Sequence, residues 1–95
     1  MNEPLLPADA RRLAIDALAR GTVIFDSHVR ERMTQRKISI FDVARVIRAG
    51  AYQHATYESG SWRYPIWTQS ITVVIAFRQL SPSIVAVVTV IRHGR

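Results

Sequence analysis

Three stretches with apolar residues spaced three and four apart open the chain, and a longer stretch of alternating apolar and polar residues follows them. The first, PADARRLAIDALAR from Pro7 to Arg20, sets Leu13, Ala14, Ala17 and Leu18 on one face, with Pro7 suited to a first turn and Gly21 to the position past the end. It predicts an amphipathic helix. Thr22 to Phe25, TVIF, is too short for a helix and predicts an extended link or a strand. Asp26 and Ser27 offer side-chain oxygens to the free N–H groups of a second helix that runs to about Arg36, with Val29 and Met33 as its apolar face. Ser39 and Asp42 have the spacing of a capping box for a third helix, Ile40 to Ala49, which Gly50 closes.

From Ala51 onward the period changes to two. AYQHATYE, WRYPIWTQ, SITVVIAFRQ and SIVAVVTVIR predict four strands, with turns at Ser59-Gly60-Ser61 and Ser81-Pro82-Ser83. The last two strands are apolar on both faces, so a strand such as Ile84 to Ile91 should lie centrally, helices on one side and another cover opposite. Pro65 has no N–H to donate, which places the second strand at an edge or puts a bulge there. The expected fold is α+β: two to three N-terminal helices packed on a four-stranded antiparallel sheet.

Composition narrows the setting. Ninety-five residues, 48% of them hydrophobic, predict a single domain with one core. No apolar run approaches a membrane span, and the opening MNEPLLPADARR lacks the plan of a signal peptide, so a cytoplasmic location is expected. With no cysteine, neither a disulfide nor a thiolate metal site is available. His54, Thr56 and Glu58 share a strand face, but two ligands without a third make a poor site; no metal or cofactor is expected.

Charge changes the picture more. Thirteen Lys and Arg stand against seven Asp and Glu, and residues 59–95 contain no acid at all. An anionic partner follows, nucleic acid or an acidic protein. Lys37 is the single lysine. Arginine's planar fork suits bidentate phosphate contact.

The second helix concentrates that chemistry. His28, Arg32 and Arg36 at i, i+4 and i+8 share one face. His28 sits in the first turn, where the helix dipole, Arg30 and Arg32 favour the uncharged imidazole, the form a general base needs. His28 as base with Arg32 and Arg36 as phosphate clamps is one reading; a capping histidine beside solvating arginines is the other. On the sheet, Trp62-Arg63-Tyr64 presents a cation between two aromatics, suited to single-stranded RNA or to core packing. For Trp62 and Trp67 packing is the expectation, and Arg63 and Tyr64 are the better site candidates. Val85, Val87, Thr89, Ile91 and His93 alternate onto one face, so Thr89 and His93 are placed to close a site, with Arg92 adding charge.

The run F-x-x-H-x-x-x-R-M-x-x-R-x-I-S, met as Phe25, His28, Arg32, Met33, Arg36, Ile38 and Ser39 and followed by Val43 and Gly50, resembles the bacterial family known as domain of unknown function 4258. V-V-T-V at Val87 to Val90 resembles that family's closing strand, so the likeness spans roughly residues 23 to 91 and leaves the N-terminal helix outside. Lys37 stands where a glycine is common, and Ile91 where an aromatic often follows. The family is similar to the RelE/ParE-like toxins and to nuclease toxins of the barnase, colicin and RelE fold. What the resemblance implies is a metal-independent ribonuclease of toxin type, with its site between the second helix and the sheet and an antitoxin-type protein as partner. A non-catalytic nucleic-acid-binding module, a protein-interaction module with a basic surface, and a homodimer that hides the two-sided strands are the alternatives.

Overall fold

The computed structural model describes residues 2–78 and 81–94. Three helices, α1 (Pro7–Arg20), α2 (Ser27–Arg36) and α3 (Ile40–Ala49), accompany six strands: β1 (Thr22–Phe25), β2 (Ala51–Tyr52), β3 (Thr56–Glu58), β4 (Ser61–Trp67), β5 (Ile71–Arg78) and β6 (Ser81–Arg92). The α+β class is as expected. Local chemistry sets the helix ends. The Asp26 side chain accepts from the N–H of Val29 at 2.8 Å, and Ser39 and Asp42 form a complete capping box. Helix α2 ends in a Schellman turn, in which Ile38 N–H reaches the carbonyl of Met33 and Lys37 adopts the left-handed conformation at φ 55°.

The sheet runs in the order β1-β6-β5-β4-β2, with β3 also on β4. It is mixed, because β1 pairs parallel with β6, Thr22 opposite Ile84 through Phe25 opposite Val87. The TVIF run is therefore a strand, and β6 is flanked on both sides as its apolar character requires. Gly21 makes the entry to β1 possible, since a β-carbon there would lie 2.1 Å from the backbone oxygen of Ser83.

Three departures from the expected sheet concern the register of its strands. AYQHATYE divides into β2 and β3: Tyr52 pairs with Ile66 and Thr56 with Arg63, so three residues, 53–55, span the two opposite them, Tyr64 and Pro65. Pro65 has no N–H for that edge, and the chain bulges there, with only Gln53 N–H donating to the Pro65 carbonyl at 2.9 Å. A second bulge falls at Val88, where the partners of Val74 and Ile75 are Thr89 and Val87. It puts Val85, Val87 and Val90 on the core face, and Thr89 and Ile91 on the opposite one, correcting the single face expected for Val85 through His93. The turn expected at Ser81-Pro82-Ser83 lies inside β6; Arg78 pairs with Ser81, and residues 79 and 80 between them lie outside the described residues.

The core lies between the helices and one sheet face. Ala10, Ala14 and Ala17 bring α1 close, while Val43, Val46 and Ile47 of α3 cover Tyr64, Ile66, Val73 and Ile75. Each of the larger aliphatic side chains contributes about 1.5–3 kcal/mol by burial. Leu13 and Leu18, expected with the alanines, pack on the margin. The cover expected opposite is not supplied by the described chain: Trp67 is 55% exposed and Ile91 41% exposed on that side.

Candidate functional site

Where β1 stops at Phe25, the chain turns into α2, and α2 lies along the edge of β6 that β1 leaves unpaired. Its apolar residues Val29 and Met33 are buried, so His28, Arg32 and Arg36 are carried to the seam between helix and strand. A crease of about 30 Å³ runs along this seam, lined by His28, Val29, Arg32, Arg36, Val88, Thr89 and Val90. Four of the sequence-predicted residues, His28, Arg32, Arg36 and Thr89, thus meet around one feature. The Val88 bulge places Thr89 on the face away from the core.

The cations differ in what they hold. Arg36 Nη1 donates to the Val90 carbonyl at 2.7 Å, taking the place of a strand neighbour on that edge. Arg92 donates from Nε to the carbonyl of Arg36 and from Nη2 to that of Lys37, both at 2.7 Å, and so caps the C-terminal end of α2. Arg32 makes no hydrogen bond or ion pair among the described residues, and the same holds for the exposed His28. Beyond the Arg36 end of the seam the surface opens into a concavity of about 680 Å³, lined by Gln35, Arg36, Lys37, Arg92, His93 and Gly94. The Asp42 carboxyl is held below its usual range, first by the Ser39 N–H it accepts and, less, by Arg45 and Arg92.

The remaining candidates lie elsewhere. Arg63 is on β4, two strands from β6, and lines no part of the seam; its Nη1 is 4.0 Å from Glu58 and its Nε is buried without a hydrogen-bond partner among the described residues. Tyr64 is fully buried, edge-on to Phe77 at 5.2 Å between ring centroids. Its hydroxyl donates to Glu3 at 2.7 Å and accepts from Leu5 N–H at 3.0 Å, and burial pushes it up to about 12. It is a core residue that fastens the N-terminal segment. Trp62 packs against the core and meets Tyr57 edge-on, as expected of a packing residue, whereas Trp67 stands on the open sheet face. Arg30 is exposed on α2, facing away from the seam toward a concavity it shares with Phe25 and Ile40. His93 Nε2 forms a 2.6 Å hydrogen bond with Thr72 Oγ1, between the basic concavity and the open face. His54 is exposed in the connection from β2 to β3. Spacing along the chain did not reveal that Lys37 and Gln35 share a concavity with Arg92. Their nearness depends on where α2 ends relative to β6.

Among the described residues no helix is long and apolar enough to cross a membrane. No curated protein and no solved structure matches the chain. The family described as Domain of unknown function (DUF4258) matches residues 16–92, from the last turn of α1 to the end of β6, and so reaches further toward the N-terminus than the motif in α2 alone suggests. With His28, Arg32 and Arg36 of that motif aligned on the β6 seam and four fifths of the sequence matched, the chain belongs to this family.

Proposed function

We propose that the protein is a ribonuclease of the small RelE-like toxin type, acting on RNA laid over the α2–β6 seam in the cytoplasm. The observation that supports this reading is the convergence of His28, Arg32 and Thr89 on one crease, with Arg32 making no hydrogen bond or ion pair among the described residues. The crease itself has room for about one water, so the RNA backbone lies across it. His28 takes the proton of a ribose 2′-hydroxyl, the resulting oxyanion attacks the adjacent phosphorus, and the 5′-oxygen departs with a proton from solvent. Arg32 meets the charge that builds on the phosphoryl oxygens. A toxin with a net charge of +6 is held in check by an acidic partner protein on the same face.

A second reading, RNA binding without cleavage, is favoured by a different observation: Arg36, expected to clamp the reacting phosphate, is tied to the Val90 carbonyl, while Arg30, Lys37 and Arg92 keep the surface of this end of the molecule basic and exposed. One experiment separates the two. Purified protein is incubated with single-stranded RNA beside His28→Ala and Arg32→Ala, and the ends are analysed. Products bearing 2′,3′-cyclic phosphate, formed about a hundredfold more slowly by His28→Ala, support the ribonuclease. Intact RNA that is nonetheless retarded in a gel supports the binding module.

A further inference from the structure

We propose that the concavity at the C-terminal end of α2 is a phosphate-binding site in which Lys37 is a ligand residue, kept in a backbone conformation that favours glycine. The inference rests on the RNA reading for the source of its ligand, and on three independent features for its place.

The first is conformational. Lys37 is one of only two non-glycine residues with positive φ among the described residues, and it sits at the C-cap where glycine carries no β-carbon penalty. Nothing in the helix end requires a lysine, since the turn is made by the backbone N–H groups of Lys37 and Ile38. A long cationic side chain at a position that costs backbone strain points to a use for its charge.

The second feature is the fixing of Arg92. Two of its five N–H groups hold the carbonyls of Arg36 and Lys37, which immobilises the guanidinium and leaves three donors for an acceptor in the concavity. Those same bonds cover the negative end of the helix dipole, which otherwise repels an anion at this place. The nearby carboxylate, Asp42, is occupied by the Ser39 N–H at 2.9 Å.

The third is shape. The space of about 680 Å³ is far larger than the crease, and Gln35 and His93 line its rim. A phosphate here is continuous, through Arg36, with one held by Arg32 at the seam, as successive phosphates of one strand require.

The test follows amide and side-chain NMR signals while inorganic phosphate, then a short single-stranded oligoribonucleotide without terminal phosphates, is added to the wild type, Lys37→Gly and Lys37→Asn. Both variants accept the left-handed conformation and neither carries charge. Lys37→Gly is expected to melt on the order of 5 °C higher and to bind inorganic phosphate about tenfold more weakly, with Lys37→Asn equally impaired. Undiminished phosphate affinity in either variant, or a lower melting temperature for Lys37→Gly, overturns the inference. Shifts at Lys37 and Arg92 with phosphate but no response to the oligoribonucleotide leave the site standing and remove the RNA reading. RNA that is bound or cut at the seam without any shift at Lys37 removes the site alone.

Discussion

Arg36 reaches across 54 positions to donate to the carbonyl oxygen of Val90 at 2.7 Å, on the stretch of β6 that has α2 beside it instead of a strand. An arginine that reads as a phosphate clamp from its spacing is here the group that completes a sheet edge. Arg36→Ala leaves a half-buried carbonyl without its partner and is expected to cost about 1–3 kcal/mol, seen as a fall in melting temperature. A variant that melts within experimental error of the wild type contradicts this role.

His28 behaves oppositely, being exposed and without a partner among the described residues. His28→Gln is expected to leave stability within about 0.5 kcal/mol while removing cleavage of RNA. Thermal melting and product analysis on the same sample check both halves of the expectation. Unchanged cleavage rules His28 out as the base.

Tyr64 predicts an alkaline limit. Its folded-state pKa, pushed up to about 12 by burial, exceeds the ordinary tyrosine value of 10. The folded state therefore keeps the phenolic proton more tightly than the unfolded one, so the associated stability is fully present below pH 10 and is lost as pH rises from 10 toward 12. Burial raises Tyr52 as well, in the same direction. Denaturant melts from pH 9 to 12 should show a decline that Tyr64→Phe reduces by roughly 2–3 kcal/mol, although the variant starts lower for want of the Glu3 and Leu5 bonds. Parallel curves for the two proteins sink the attribution.

Gly21 admits no larger residue without moving backbone. A methyl group there meets the Ser83 oxygen, which belongs to β6, so Gly21→Ala is expected to destabilise by about 1–3 kcal/mol despite the better helix propensity of alanine at the end of α1. Chemical denaturation of the variant measures it. A neutral or stabilising result means that β1 enters the sheet differently.

Much of this fold is legible in the sequence because its signals are local. Ser39 with Asp42, Asp26 before α2 and the period-two stretches each act within a few residues. What stayed hidden depends on partners far along the chain. Nothing in TVIF says that it lies parallel to Ile84–Val87, and nothing in V-V-T-V marks Val88 as the residue that slips out of register and turns Thr89 away from the core. The site divides the same way: helical spacing brings out His28, Arg32 and Arg36 as one line, whereas the ties of Arg36 and Arg92 to backbone, and the burial of Tyr64, require the third dimension.

The parallel pairing of β1 with β6 also orders events in time. β6 is the last of these elements to leave the ribosome, yet it is the strand against which β1, β5, α1 and α2 all rest. Until residues 84–92 have been synthesised, β1 has no strand partner and helices of 10 to 14 residues have no completed floor, a length at which isolated helices are marginal in water. The basic seam, lined by Val88, Thr89 and Val90, therefore cannot exist before β6 does.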